Sequence, residues 1–497
     1  MTKAEKNYFF KTKWVKMGQW AVSPADTETW HSEHTSRYFK KFLGIHKGSL
    51  AIQTFNDGGE HIYFPAAYFQ KLYGHIRNLT SRDFRGLQKK LLPFYRLKAK
   101  AHREVPKLVA RDYKKLTTGQ LIKLYRANRD WAHKITVYDQ FGWIGEDYWS
   151  EPMEKILIKK FGLIKNSAEY HRVLFVLVKP REISTTLEEK RAVIKAALAI
   201  KAGRASLSAT STQLAKRYGW LPVAAFGTPW EAVHYWEELT ELLRRPVAKL
   251  KKEYQALRDY TIVRDRDIKL AVKKYHITPR DLQIFTDFSL ALDGRNEAEY
   301  LVSLAGFYLL PVYKEIARRL FLSVNQLRNL YEDEIVAALR GKIDPLDCLW
   351  RKGKIIGWGF NKAMTKRINF TSLEAAELFI YLNKTAKNVQ GNVAGKGVCA
   401  SPGIARGIAK IVHSPHENNK VKSGDIMIAH VTMVDYLPAM KKAAAIVTEV
   451  GGLTCHAAVV SREFGIPCVV ALKDATRNFK DGERVEVVAD QGLAKKI

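Results

Sequence analysis

The sequence predicts an α+β protein, with a large, mainly helical N-terminal region over residues 1–390 and a compact α/β unit over residues 391–497. Three observations predict it. The chain has 497 residues, 46% hydrophobic and 27% charged, which at roughly 100–200 residues per domain is enough for two to four domains with a sizeable core. Apolar residues recur at three- and four-residue spacing through most of the first 390 positions, the period of an amphipathic helix. Near Asn388 the texture changes: "NVQGNVAGKGVCASPGIARGIAKIV" is rich in glycine and small residues. We place the linker between Thr385 and Gly395.

Taken in order, the chain opens with an aromatic-rich stretch. "SLAIQTFNDGGEHIYFP", Ser49 to Pro65, reads as two strands around an Asn-Asp-Gly-Gly turn, a hairpin signal. "TGQLIKLYRANRDWAHKITVY" has helical spacing after a Thr/Gly start. "TTLEEKRAVIKAALAI" reads as a helix capped by threonine, with Glu188 and Glu189 in its first turn. "PWEAVHYWEELTELLRR" is a further helix. "PVYKEIARRLFLSVNQLRNLYEDEIVAALRG" is helical with a break near Leu322-Ser323. "GKIIGWGFN", Gly353 to Asn361, reads as a strand. In the C-terminal unit "IAKIV", "GDIMIA", "AAIVTE", "CVVAL" and "RVEVVA" are short β-branched strands, with "DYLPAMKKA" and "HAAVVSREFG" as the helices between them.

Composition limits the function classes. Four cysteines, Cys348, Cys399, Cys455 and Cys468, are too few for a disulfide framework, and no C-x-x-C pair suggests zinc or another metal site. A reducing compartment follows. The opening "MTKAEKNYFFKTKWVKMGQW" has no apolar core of a secretory signal. "YLVSLAGFYLLPVY", Tyr300 to Tyr313, is shorter than the roughly 20 residues of a spanning helix and contains Pro311, so it is expected as a buried helix. The expectation is a cytoplasmic protein with no membrane contact. Net charge is +32, and residues 391–497 hold only 14 basic against 10 acidic residues, leaving +28 on the first 390. Such an excess attracts anionic partners, although a lysine-rich solvated surface has the same composition.

One stretch suits chemistry. In "GGLTCHAAVVSREFGIPCVV", Gly451 to Val470, Gly451 and Gly452 end the buried strand "AAAIVTE" in a tight turn. Thr454 is placed to cap the next helix, with His456 in its first turn. Gly465 and Pro467 end that helix. Helix N-termini offer unpaired N–H groups and partial positive charge, which favour phosphate and disfavour a protonated imidazole. These residues alone leave two readings open, a packed core histidine and a histidine that carries phosphate.

"SPGIARGIAKIV", "GDIMIAHVTMVDYLPAMKKAAAIVTEVGGLTCHAAVVSREFGIPCVVALKDAT" and "KDGERVEVVADQG" resemble the phosphohistidine, or swivelling, domain of the phosphoenolpyruvate-utilising enzymes, a family that includes phosphoenolpyruvate synthase, pyruvate phosphate dikinase and rifampicin phosphotransferase. The resemblance implies a C-terminal swivelling β/β/α fold, His456 as the phosphorylated residue, and Thr454 at a position that can carry regulation. It implies motif support from Thr432 and Asp435, with Val434 standing where the family often has proline. "YLLPVYKEIARRLFLSVNQLRNLYEDEIVAALRGK" is similar to the helical segment before that domain, and "KRYGWLPVAAFGTPW" resembles short members lacking the ATP domain. No counterpart of the family's ATP-grasp domain is visible in residues 1–390, and "GNVAGKG" is not a Walker A loop. Nor is a phosphoenolpyruvate-binding barrel expected. The resemblance therefore implies a phosphotransferase or phosphocarrier component, with phosphoenolpyruvate or ATP as donor, a separate ATP-grasp or kinase subunit as partner, a small-molecule acceptor, and Mg²⁺ wherever nucleotide or phosphoenolpyruvate chemistry occurs.

Other candidates have a plainer reading beside the functional one. Arg264 and Arg266, in "RDYTIVRDRD", could hold an anion as arginine forks do, or form ion pairs on a solvated helix. "FRGLQKKLLPFYRLKAKAHREVPKLVARDYKK" interleaves basic and aromatic residues, but no nucleic-acid motif accompanies it, so nucleic acid is not expected as a partner. "DQFGWIGEDYWSEPMEK" gathers Trp143, Tyr148 and Trp149 with Glu146, Asp147 and Glu151, as a Mg²⁺-lined pocket or as core with exposed acids. The rival to a phosphotransferase is a non-catalytic binding protein that keeps the C-terminal domain as a scaffold, nucleic acid being the ligand its basic charge would suit.

Overall fold

A computed structural model describes residues 1–20, 30–46, 49–54, 59–82, 86–108, 112–144, 146–165, 167–223, 228–349, 355–364, 366–388 and 396–497. The chain forms two compact units. One joins Met1–Gln140 to Tyr308–Gly391; the other joins Phe141–Phe307 to Asn392–Ile497. The chain changes unit after Gln140, Phe307 and Gly391. Residues 141–307 belong with the C-terminal residues, because their helices bury polar and charged groups against that part of the chain. Residues 389–395 of the linker expected between Thr385 and Gly395, and the hairpin turn at 55–58, lie outside the described residues; residues 385–388 end a helix and form a short strand.

The first unit is built on six strands: β1 (Trp14–Trp20), β2 (Leu50–Thr54), β3 (Gly59–Pro65), β4 (Ile356–Phe360), β5 (Arg367–Phe370) and β6 (Lys387–Asn388). Their order is β5-β4-β2-β3-β1-β6. All pairs are antiparallel except the short β1–β6 pair. The hairpin expected from Ser49 to Pro65 is β2–β3, with Leu50 opposite Tyr63, and the strand expected near Gly353 is β4. Helices Lys3–Lys11 and Ser372–Thr385 cover the sheet through Phe9, Trp14, Leu50, Ile52, Tyr63, Phe370, Leu378 and Leu382. Gly359 admits Phe9: a Cβ there would stand 2.6 Å from the Phe9 ring.

The second unit holds β7 (Val398–Ser401), β8 (Ile404–Ile411), β9 (Ile426–Ala429), β10 (Ala445–Thr448), β11 (Cys468–Val470), β12 (Arg484–Val488) and β13 (Leu493–Lys496). Their order is β13-β12-β8-β9-β10-β11-β7. The four central strands β8-β9-β10-β11 run parallel and the outer ones antiparallel. Every residue of β9, β10 and β11 is buried, as expected for strands covered on both faces. The five expected strands are present; β7 and β13, too poor in β-branched residues to announce themselves, complete the sheet edges. "DYLPAMKKA" gives a 3-10 turn, Val434–Tyr436, and a short helix, Leu437–Met440, because Pro438 sits inside it.

The helical part of this unit includes Thr185–Lys201, Ala232–Leu243 and Tyr260–Tyr275, with Pro279–Arg319 running on into the first unit. The cap of Thr185–Lys201 differs from the expected threonine. Ser184 takes that place, accepting the Leu187 N–H at 3.2 Å, which frees the two threonine hydroxyls for carboxylates. The stretch Tyr300–Tyr313 lies within Pro279–Arg319, with Tyr300, Leu301, Val312 and Tyr313 buried. Among the described residues no helix is long and apolar enough to cross a membrane. The expected break at Leu322-Ser323 is real: Phe321 adopts φ 54° and Ser323 caps Val324–Leu327.

Candidate functional site

The site forms at the C-terminal ends of the parallel strands, the crevice where α/β sheets present their loops. Strand β10 delivers the chain to Gly451, whose φ is +135° and where a Cβ would stand 2.7 Å from Cys455 Sγ. Gly452 follows, and its carbonyl accepts the Cys455 N–H at 3.2 Å. The helix His456–Phe464 then begins, and Gly465 closes it at φ 68°. Its N-cap is Cys455, in extended backbone and without a side-chain cap bond. The expectation that Thr454 caps this helix is thus corrected: Thr454 stands one residue too early. Cys455 makes no side-chain cap bond, and first-turn N–H groups of a helix have the capacity to bind an anion.

His456 is the first residue of that helix and is 4% exposed. Its Nδ1 lies 3.4 Å from Thr432 Oγ1, a long contact from the loop after β9. Its Nε2 is buried with no hydrogen-bond partner. The tautomer that fits puts the proton on Nδ1, directed at Thr432, and leaves the lone pair on Nε2. Burial, reinforced by the positive charge of Arg295, lowers the imidazole from its ordinary 6.5 to about 3, so the ring is neutral and nucleophilic at physiological pH.

Arg295 comes from the Pro279–Arg319 helix, and its Nη1 donates to Thr454 Oγ1. Thr454 is itself buried. Further charged groups join the same helices to the C-terminal residues. Lys441 Nζ lies 2.8 Å from Glu189 Oε2 and 3.3 Å from Glu238 Oε1, with the Trp230 ring 4.9 Å beneath it. Burial alone would pull the Lys441 ammonium down; the two carboxylates more than offset that, and it ends raised. Thr186 Oγ1 donates to Glu463, whose carboxyl is pushed up to about 7 by burial. Arg462 donates to the carbonyls of Leu453 and Ala400 and lies over Phe175 at 5.2 Å.

The structure brings Gly451, Gly452, Thr454, Thr432 and His456 together. Asp435 sits in the 3-10 turn after Thr432, its carbonyl accepting from Asn418 Nδ2 at 2.7 Å, and Val434 opens that turn as a buried residue. Arg264 and Arg266 instead lie on the Tyr260–Tyr275 helix. Arg264 pairs with Asp265 and donates to the Lys179 carbonyl, and Arg266 pairs with Asp267. In the acidic-aromatic cluster Trp149 is fully buried and Glu151 is an exposed partner of Lys155; the side chains of Trp143, Glu146 and Asp147 lie outside the described residues. Sequence reasoning missed Arg295. Its signal was that it is the one basic residue in "SLALDGRNEAEYLVSLAGF". Among the described residues no group of three His, Cys, Asp or Glu side chains is arranged to hold a metal.

Residues 421–492 match the family model described as "PEP-utilising enzyme, mobile domain". Curated relatives agree. The chain is 49% identical over 110 residues to the probable phosphoenolpyruvate synthase of Archaeoglobus fulgidus, covering 22% of this chain and 15% of that protein. It is 50% identical over 107 residues to the phosphoenolpyruvate synthase of Pyrococcus furiosus, 22% and 13%, and 45% identical over 103 residues to that of Escherichia coli, 21% and 13%. The chain thus spans about one seventh of the length of the curated relatives it matches. On sequence, residues 421–492 of this chain match the mobile domain of a PEP-utilising enzyme.

Proposed function

We propose that the protein is a phosphotransferase or phosphocarrier component in which His456 Nε2 carries the phosphoryl group. The observation that carries this reading is the buried, neutral imidazole at a helix N-terminus, with Nδ1 turned to Thr432 and Nε2 without a partner. The His171 and His234 rings also leave one buried nitrogen without a partner; what sets His456 apart is its place at a helix N-terminus behind the glycine turn.

The chemistry runs in two displacements. The Nε2 lone pair attacks phosphorus, the N–P bond forms, and the bond from phosphorus to the donor's leaving oxygen breaks, its electron pair staying on that oxygen. An acceptor oxygen then attacks phosphorus, the N–P bond breaks, and its pair returns to Nε2. Through both steps the Nδ1–H pointing at Thr432 Oγ1 holds the ring in one tautomer, and the helix N-terminus faces the phosphoryl charge. Because His456 is closed over by Arg295 and its helix, loading requires that contact to part. The donor is phosphoenolpyruvate, or ATP held on a separate ATP-grasp or kinase subunit; the acceptor is a small molecule. Mg²⁺ would neutralise the donor's phosphates.

The test is incubation of the purified chain with labelled phosphoenolpyruvate, or with labelled ATP plus cell extract. Acid-labile, base-stable label that disappears in His456→Ala supports the reading. Label that persists in that variant, or none in the parent chain under either condition, overturns it.

A further inference from the structure

Strands β9 and β10 end side by side, and the loops that follow them build the surroundings of His456. Along β9, Ile426 and Ile428 enter the core they share with Ala475 and Phe479, so two residues further on the His430 side chain leaves the chain on that same face. Along β10 the alternation through Ala445 and Val447 delivers Glu449 beside it. His430 Nδ1 lies 2.6 Å from Glu449 Oε2. The other carboxylate oxygen accepts the Thr476 N–H at 2.7 Å and its hydroxyl at 2.5 Å, from the short helix Ala475–Asn478 after β11. Burial would raise the Glu449 carboxyl, but the bonds from His430 and Thr476 more than offset that and take it from 4.5 to about 2. The carboxylate therefore stays ionised, and Nδ1 is the nitrogen that donates to it. One acid thus ties together the loops after three neighbouring parallel strands.

The first two of those loops are the ones that hold the imidazole. Two residues after Glu449 the chain reaches Gly451 and the turn into the His456–Phe464 helix. Two residues after His430 comes Thr432, whose Oγ1 lies 3.4 Å from His456 Nδ1. Residues 431–433 belong to no helix or strand. Upstream they are anchored at His430, whose carbonyl accepts the Val450 N–H at 3.1 Å and whose ring is held by Glu449. A contact of 3.4 Å stands at the outer limit of a hydrogen bond, so a small shift of this loop breaks it and lets the imidazole exchange tautomers. The His430 ring is half exposed, and an ion pair of that kind adds little to folding; its consequence is local. The geometry points to His430 and Glu449 as positioning residues for phosphoryl transfer: their pair, braced by Thr476, fixes the loop that holds Thr432 against His456 Nδ1 and so keeps the attacking lone pair on Nε2. This inference rests on the phosphohistidine reading above and adds the groups that select its nucleophilic nitrogen. Neither residue touches phosphorus, and the bonds made and broken remain those at Nε2. The aspartate of a catalytic triad acts on its histidine in the same sense, by holding one tautomer.

Two readouts on the full-length chain separate this inference from the reading beneath it. The first needs no phosphate: heteronuclear NMR of the chain carrying nitrogen-labelled histidine shows which ring nitrogen of His456 bears the proton, its signals identified by their absence in His456→Ala. The second is the initial rate of acid-labile labelling by phosphoramidate, a small donor whose own P–N bond breaks as Nε2–P forms, its protonated amine leaving as ammonia. The parent, His430→Ala and Glu449→Ala are compared over donor concentration, with thermal melts as the folding control; Glu449→Gln replaces Glu449→Ala if the latter melts early. Losing an orienting partner of a reactive histidine costs about 10–100-fold. For groups that act through a loop we expect the lower end, about tenfold in either variant, in the rate at saturating donor and not in the donor concentration that gives half of it. In both variants the His456 signals should move from the Nδ1–H form toward a mixture of tautomers. A parent-like spectrum and rate in both variants, or an Nε2–H form in the parent, overturns the inference and leaves a surface ion pair. A slowed rate with an unchanged spectrum, or a changed spectrum with an unchanged rate, overturns it as well. No label on the parent, or label surviving His456→Ala, overturns the phosphohistidine reading and the role in transfer with it, whatever the spectra show.

Discussion

The six-stranded sheet of the first unit alternates direction at nearly every pairing, so its connections are shared between its two ends. Its buried face is filled with large rings, Phe9, Trp14, Tyr63 and Phe370. The seven-stranded sheet of the second unit has four parallel strands at its centre, lined by alanine, valine and isoleucine. Parallel strands all end on one side, so the loops after β9 and β10 meet there, bringing Thr432 to His456 and opening a helix under the imidazole. Two sheets of similar size thus differ in what they position: one gathers apolar bulk, the other gathers loop residues at one edge. Strand direction, more than sheet size or composition, decides where chemistry assembles.

That contrast can be broken or sharpened. The largest effect is expected for His456→Ala, which should remove all acid-labile label from donor incubations while leaving the melting temperature near that of the parent; residual label mapped to the first unit would end the distinction between the sheets. Trp358→Ala, at a position 1% exposed on β4, should cost about 3–5 kcal/mol by cavity formation. Denaturant unfolding measures that loss, and labelling per folded molecule should stay at the parent's rate.

Glu463 and His456 give opposite pH signatures. Folding raises the Glu463 carboxyl from 4.5 to about 7, so the folded chain holds a proton that the unfolded chain releases. Its contribution is full below about pH 4.5 and is lost as pH rises through 7. For His456, lowered from 6.5 to about 3, the contribution is full above pH 6.5 and is lost as pH falls toward 3. Glu463→Gln should therefore flatten the upper window by up to ~3 kcal/mol, read from chemical denaturation at pH 5 and pH 8; an unchanged slope would show that folding does not raise the Glu463 carboxyl. The smallest effect is Gly451→Ala. A side chain at φ +135° with its Cβ 2.7 Å from Cys455 Sγ should cost about 1–3 kcal/mol of local strain and slow labelling several-fold, whereas Gly359→Ala in the first unit should cost stability without slowing it.

The legibility of the molecule follows the range of the forces involved. The β2–β3 hairpin, β4, strands β8 to β12 of the second sheet and the glycine turn before His456 were readable, because each depends on residues within a few positions of one another. Strands β7 and β13 were not: "VCAS" and "LAKK" hold one β-branched residue between them, so neither carries the composition of a strand. The caps were misassigned at both Ser184 and Cys455: at the first, Ser184, Thr185 and Thr186 stand side by side, and at the second the one hydroxyl candidate, Thr454, is engaged by Arg295 instead.

By itself the sequence determined the α+β class, the C-terminal α/β unit, and His456 as the residue of interest with its two glycines. These are local consequences of hydrophobic period, turn chemistry and helix polarity. Only the tertiary structure decided that residues 141–307 join the C-terminal residues and not the rest of the first 390. Only it chose Arg295 over Arg264 and Arg266 as the cation beside the histidine. The physical reason is the same in both cases. A buried charge must find its partner in space, and Lys441 with Glu189, or Arg295 with Thr454, are separated by 252 and 159 positions along the chain, a distance over which no periodicity carries information.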